Sequence, residues 1–426
     1  RIASWPVAAI GSNCAAGPRT LLDLVEQAAP LIEKPMLAMP NAGQPQTVEG
    51  RQLYMASPEY MAEYARRFVQ KGARLIGGCC GTTPETIRVM RSFIRSAAPQ
   101  AVITPEKHEE GPTRAAEPTP VAERTPFAKK LYSGKFCISV ELDPPRGLNP
   151  ARSLEGAAYL KERGVDVINI ADGPRAVARM GPSALAVLAR DHCDMESVIH
   201  YCCRDRNLLG MQMDLIGANA LGLRNILAVT GDPPKMGTYP NATAVFDIDS
   251  IGLITFIQML NRGLDFSGRP LSKQEDGTSL FVGAGCNPAH VDLDLEVSRF
   301  EKKVEAGAEY FFSQPVYDEE VLVNFLDKTE SCPKVPFLVG VLPLASYKNA
   351  EFLHNEVPGM QVPAPIRERL KSARTRQEQR DIGIEVARAT LKAAYEHPRI
   401  NGAYIYPPFG SYKAVMRVVE GFLEPC

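Results

Sequence analysis

The sequence predicts an α/β protein in which a complete (β/α)8 TIM barrel follows a partial β/α barrel segment of a second domain. Three observations carry this. Eight short apolar runs, each followed by a helical pattern, fill the chain from residue 127 to 426. A proline- and glutamate-rich stretch over residues 99–126 sets them apart from what precedes. Residues 1–98 repeat the strand–helix alternation three times. Eight βα units in one run suffice to close a parallel barrel, whereas three do not. The remaining strands of the first domain are therefore expected upstream, in keeping with a chain that begins on Arg1 and opens directly on a strand.

In the first segment, strand-like runs end at Cys14, at Pro40-Asn-Ala-Gly43 and at Cys80. The opening run from Ile2 to Ile10 reads as a buried strand leading to Cys14. Helical patterns span Pro58–Lys71 and Pro84–Ala97, the second with Thr83 as N-cap and Pro84 at the first helical position. Across 99–126 apolar residues thin out, as in Thr104-Pro-Glu-Lys-His-Glu-Glu-Gly-Pro112, which predicts an extended linker.

The barrel strands are then Phe136–Glu141, Val165–Ala171, Ser197–Cys203, Asn225–Gly231, Ser279–Gly285, Tyr310–Pro315, Pro336–Leu342 and Ala403–Tyr406. Runs such as Ile226-Leu-Ala-Val229 are continuously apolar, as strands covered on both faces must be. Helical patterns at Val297–Ala306 and Arg376–Glu396 lie between strands.

A chain of 426 residues with 45% hydrophobic side chains has material for two or three cores. Its net charge of -1 leaves no basic footprint for nucleic acid or an anionic membrane, and no apolar run has the length of a membrane span. Ten cysteines, including the adjacent pairs Cys79-Cys80 and Cys202-Cys203, do not form a disulfide framework, so the expected compartment is the cytoplasm. A homo-oligomer is left open.

Two clusters of residues carry chemistry. Cys79-Cys80 lie in the glycine-rich turn Gly77-Gly-Cys-Cys-Gly81, poor material for a core, and Cys14 ends a similar run. Three thiolates from two strand ends suit zinc with its fourth position open, and zinc lowers the pKa of a bound substrate thiol. Cys14 taken alone reads rather as a small core residue. In the barrel, active sites lie at the C-terminal strand ends. Those ends supply Glu141, Asp172, His200, Gly231-Asp232, Asn287, Gln314 and Tyr406, with Arg204 nearby. Glu141 and Asp232, from the first and fourth barrel strands, are placed to face one cavity. Asp232 also reads as a turn residue, and His200 as a satisfied strand histidine.

These residues stand in stretches that resemble a known family. Ser139-Val-Glu-Leu-Asp-Pro-Pro145, Leu227-Ala-Val-Thr-Gly-Asp-Pro-Pro234, Lys303-Val-Glu-Ala-Gly-Ala308, Phe312-Ser-Gln-Pro315 and Gly340-Val-Leu-Pro343 resemble the methylenetetrahydrofolate reductases. Gly11-Ser-Asn-Cys14, Pro40-Asn-Ala-Gly43 and Gly77-Gly-Cys-Cys-Gly-Thr-Thr-Pro84 resemble the C-terminal part of the zinc-dependent homocysteine S-methyltransferase barrel. The order of the two is that of bifunctional bacterial fusions.

The resemblance implies domains at 1–98 and 127–426 joined by the linker, with FAD, NAD(P)H and Zn2+ as cofactors. The implied partners are 5,10-methylenetetrahydrofolate, homocysteine and a methyl donor. It makes Glu141 the general acid, Asp232 the carboxylate beside flavin and folate, and Gln314 a folate contact. Flavin contacts fall on Ala171, Asp172, His200, Thr230, Gly231, Asp232, Asn287 and Lys303, and zinc on Cys14, Cys79 and Cys80. Leu142-Asp143 replace an aromatic pair of the family, Ala171 a hydroxyl residue and Asn287 a common histidine. Those departures keep two rivals in view: a flavin-free reductase, and a folate-binding or assembly module without redox activity. Burial of Glu141 and the charge of Asp143 are expected to raise the acid's pKa.

Overall fold

The computed structural model describes residues 5–14, 17–43, 45–48, 51–54, 56–96, 115–272, 276–357 and 360–423. They fall into two compact units, Arg1–Thr104 and Pro105–Cys426.

The first unit contains β1 (Ile10–Asn13), β2 (Met36–Met39), β3 (Pro45–Val48), β4 (Arg51–Tyr54) and β5 (Ala73–Ile76). Strands β1, β2 and β5 form a parallel sheet in the order β1-β2-β5, with Ile10 opposite Met36 and Leu37 opposite Leu75. Helices Pro18–Ala28, Pro58–Gln70 and Pro84–Ser96 cover it. Leu21, Val25, Met36, Ala38 and Phe68 form one apolar cluster under these helices. The antiparallel hairpin β3–β4 was not foreseen. The opening run is also corrected: pairing begins only at Ile10, and Trp5 is 56% exposed. Pro6 has no N–H to give a ladder, and residues 5–9 lie outside the sheet.

The second unit is a closed barrel. Its strands are β6 (Cys137–Leu142), β7 (Val167–Ile170), β8 (Ser197–Cys202), β9 (Asn225–Val229), β10 (Phe281–Cys286), β11 (Tyr310–Pro315), β12 (Phe337–Val341) and β13 (Gly402–Ile405). They pair in sequence order and in parallel, and β13 closes on β6 with Gly402 opposite Cys137 and Ile405 opposite Val140. All eight expected strands are present. Helix Arg376–Glu396 has the bounds expected of it.

Alternation divides each strand between two cores. Outward residues such as Val140, Ile168 and Phe311 pack beneath the helices against Leu160, Leu185 and Phe256. Inward residues Cys137, Val167, Val198, Leu227, Phe281, Tyr310, Phe312, Leu338 and Tyr404 fill the barrel. A helix at Pro126–Tyr132, capped by the Thr125 hydroxyl on Ala128 N at 3.0 Å, joins this inner core through Phe127, Ala128 and Leu131. The Phe127 ring lies 5.5 Å from Tyr310 and 5.9 Å from Phe281. Beside it, the buried Arg124 pairs with Glu309 at 2.7 Å and donates to Leu280 O at 2.8 Å.

Residues 99–114 lie outside the described residues. Ala116 N donates to Arg262 O at 3.0 Å, and the Thr119 and Ser279 hydroxyls are 3.0 Å apart, so the end of the predicted linker lies along the barrel. Among the described residues, no helix is long and apolar enough to cross a membrane.

The aromatic plug yields a prediction. Phe127→Ala should lower unfolding stability by about 3–5 kcal/mol, the usual cost of emptying a packed aromatic site. Urea unfolding measures it as a lower midpoint with an unchanged slope.

Candidate functional site

Glu141 is the third inward residue of β6, after Cys137 and Ser139, and sits above the inner core at the C-terminal end of the strand. Tyr404 on β13 donates its hydroxyl to Glu141 Oε2 at 2.5 Å. Burial pushes the Glu141 carboxyl up to about 7; the charge of Asp143 adds to this, while Tyr404 and Arg179 oppose it. Both expected causes are therefore present, burial first. Arg179 reaches Pro144 O at 2.8 Å and Asp143 Oδ1 at 3.4 Å, bringing a guanidinium to the same corner.

A polar layer continues around the inner wall. Asn169 on β7 donates from Nδ2 to the Ser139 hydroxyl, and its Oδ1 faces His200 Nε2 at 3.2 Å. An amide oxygen only accepts, so Nε2 carries the ring proton and Nδ1 is left as an acceptor. Burial lowers the His200 pKa to about 4, which keeps the ring neutral near pH 7. The Tyr404 and Tyr406 rings lie 4.2 Å apart between centroids, tilted by 45°, and Tyr406 donates to Ser313 O at 3.5 Å. Gln314 continues the inward row of Tyr310 and Phe312 and is exposed at the open end.

Three strands round the barrel from β6, Gly231 and Asp232 leave β9. Gly231 has φ +95, and a Cβ there would stand 2.0 Å from Cys202 Sγ, so only glycine fits. Asp232 Oδ2 accepts from Arg175 N at 2.8 Å. Arg175 and Ala176 both have φ near +56, and Ala176 O accepts from Thr238 N at 3.1 Å. The loops after β7 and β9 are thus fastened together with non-glycine residues in the left-handed region, a costly arrangement found mostly at functional sites.

Other expected contacts already have protein partners. Asp172 Oδ2 accepts from Arg206 Nη1 at 2.7 Å and Cys202 N at 3.1 Å; burial still raises its pKa despite the arginine. Lys303 donates to Gly285 O at 2.7 Å. Asn287 Oδ1 accepts from Ala289 N at 3.1 Å within a turn. Thr230 is exposed and its hydroxyl accepts from Ser250 N at 3.1 Å, while Ala171 is buried at the end of β7. The structure therefore gathers Glu141, His200 and Gln314 on the inner wall, with Asp232 on the rim. Sequence reasoning missed Tyr404, Ser139, Asn169 and Arg179. Counting by twos back from Tyr406, Glu141 and Ala171 finds the first three; Arg179 lies in a loop with no periodic signal.

In the first unit the sulfurs of Cys14, Cys79 and Cys80 all lie within 4.8 Å of one another, with 3.6 Å between Cys14 and Cys80 and 4.0 Å between Cys79 and Cys80. Tetrahedral zinc with sulfur at about 2.3 Å places its ligands roughly 3.8 Å apart, so the donor set and spacing fit that ion. The cysteine loop is pinned by Cys79 N on Pro40 O at 2.8 Å and Ala42 N on Cys80 O at 2.8 Å. Gly81 has φ +78, and a Cβ there would strike the Tyr54 ring at 2.5 Å, so the hairpin packs directly on the turn.

The second unit is thus a parallel (β/α)8 barrel with a half-buried, protonatable carboxyl at its C-terminal mouth. The Methylenetetrahydrofolate reductase family model matches residues 127–407, well over half of the chain, and the chain belongs to that family. The Homocysteine S-methyltransferase model matches residues 1–94.

Methylenetetrahydrofolate reductase 2 of Schizosaccharomyces pombe is 24% identical over 217 residues, 47% of this chain and 31% of the yeast protein. Methionine synthase of Mycobacterium leprae is 34% identical over 100 residues, 23% of this chain and 8% of the synthase. The chain thus spans under a third of the length of these relatives. An uncharacterized Clostridium thermocellum protein that binds two copies of 5-methyl-5,6,7,8-tetrahydrofolic acid superposes with a TM-score of 0.47 at 15% identity, over 68% of this chain and 96% of that one.

The raised pKa of Glu141 predicts a pH-dependent stability difference. Its folded pKa of about 7 exceeds its unfolded value of 4.5, so the folded state holds the extra proton between them. The wild type should therefore lose stability relative to Glu141→Gln as pH rises from about 4.5 to 8, by on the order of 1–3 kcal/mol. Thermal unfolding of both proteins across that range measures it. A constant difference would contradict the assignment.

Proposed function

We propose that the second unit reduces 5,10-methylenetetrahydrofolate to 5-methyltetrahydrofolate with NAD(P)H on bound FAD, and that the first unit holds the zinc of a homocysteine S-methyltransferase. The observation that carries the reductase reading is Glu141, a half-buried carboxyl raised to about 7 at the mouth of a barrel of this family. Such a group is partly protonated near neutrality and is matched to donate a proton there.

Glu141 gives its proton to the leaving nitrogen of the folate's five-membered ring, whose carbon–nitrogen bond breaks to leave an iminium cation. Tyr404 holds the carboxyl in place throughout. The Asp232 carboxylate on the rim favours the cation, and the exposed Gln314 amide orients the folate ring. Bound flavin, recharged by the nicotinamide, would supply the hydride that converts the iminium carbon to a methyl group.

Space beside Gly285 supports a bound ring at the mouth. A Cβ at inward Gly285 would meet nothing nearer than Phe312 O at 4.0 Å. His200 Nδ1, the Thr230 hydroxyl and the Gly231 backbone would hold the flavin there. A flavin-free reductase is favoured by one observation, the protein partners already taken by Asp172, Lys303 and Asn287. An anaerobic absorption spectrum separates the two: a flavin band bleached by NADH and restored by methylenetetrahydrofolate supports FAD. No band after adding FAD, with reduction intact, supports direct transfer.

Glu141→Gln should keep flavin reduction by NAD(P)H and lose folate reduction by 10²-fold or more. Stopped-flow measurement of each half-reaction tests this, and survival of both refutes the role. In the first unit Cys79→Ser should lose bound zinc on metal analysis. Unchanged zinc content would count against the thiolate site.

A further inference from the structure

A second feature of the barrel lies beside its mouth and has no part in the chemistry above. The segment Pro343–Ser346 leaves β12 and Pro408-Phe409 leaves β13; between them and helix Arg376–Glu396 opens a cleft of about 890 Å3. Lys348, Arg376, Arg380, Lys413 and Arg417 line it, and no acidic residue does. Arg417 pairs with Asp381 at 2.8 Å. Among the described residues the other four cations have no ion-pair partner within salt-bridge distance, and all four are exposed.

The first turns of three helices also border this cleft. They are Tyr347–Glu356, Arg376–Glu396 and Tyr412–Val419, capped by Ser346, Thr375 and Ser411. Helix N-termini carry partial positive charge, which adds to that of the side chains. At the lip, Phe409 is 82% exposed with φ 51, an apolar ring held in solvent on a costly backbone. The acids Glu378, Asp381 and Glu385 of the long helix line a separate recess that shares Gln377. The loops after the seventh and eighth strands are where barrels of this architecture commonly bind phosphate.

We propose that this cleft is a polyanion subsite, taking the multiply charged end of a substrate whose reacting end sits in the mouth. Phosphates of the nicotinamide nucleotide and a γ-linked oligoglutamate tail on the folate share this chemistry. Four unpaired cations and three helix N-termini would otherwise repel one another across an empty cleft, and an anion relieves that repulsion. The inference rests on the reductase reading for its substrates, but its first test does not.

Isothermal calorimetry with inorganic tripolyphosphate at low salt should show binding to the intact protein that weakens 10-fold or more in the double variant Arg376→Gln/Arg380→Gln. Both side chains are exposed, and circular dichroism checks that the variant is folded. No binding to the wild type, or equal affinity in the variant, overturns the subsite. Steady-state kinetics then assign its source. A KM rise of 5-fold or more confined to NAD(P)H assigns the nucleotide phosphates, and one confined to triglutamylated folate assigns the tail. If neither KM moves, the cleft does not serve the substrates and the proposal fails.

Discussion

Closing the barrel between β13 and β6 brings together Tyr404 and Glu141, 263 residues apart in the chain, and on that contact the rest of the site depends. Desolvation alone pushes this carboxyl toward its protonated form. The Tyr404 hydroxyl and the Arg179 guanidinium favour its charged form, and the balance falls near 7. The seam therefore fixes both position and proton affinity. Everything below it serves to hold the seam: aromatic residues fill the barrel, and the Pro126–Tyr132 helix packs into the inner core. Everything above it arranges what the carboxyl can meet, with neutral His200 on one wall and Asp232 on the rim.

Much of this was legible in the sequence because parallel strands covered on both faces leave an unmistakable pattern. Polar residues cluster at or just beyond the ends of several of the eight runs, and those ends form the barrel's mouth. Glu141, His200 and Gln314 were found because each is a polar residue in the C-terminal half of an otherwise apolar run. Tyr404 was not, because an aromatic in a strand reads as packing until its hydroxyl has a partner across the seam. The partners of Asp172 and Lys303 were hidden for a related reason: Arg206 and the Gly285 carbonyl are brought to them by the tertiary fold rather than by spacing.

The first unit shows the same division. The glycine-rich turn and its vicinal cysteines announced a thiol site, and the three sulfurs do converge. The hairpin β3–β4 was illegible, since its eight residues carry no clear alternation of apolar and polar positions. Its last residue, Tyr54, packs on Gly81 and borders the cysteines, so a segment with no sequence signal shapes the surroundings of the strongest signal in the chain.

The central claim is that Glu141 carries a proton near neutral pH because the barrel buries it. Infrared difference spectroscopy of wild type against Glu141→Gln, titrated from pH 4 to 9, observes that proton directly through the carbonyl band of the neutral acid. A band that disappears with a midpoint of about 7 is the predicted result. A midpoint near 4.5, the ordinary glutamate value, would contradict the account and remove Glu141 as the acid.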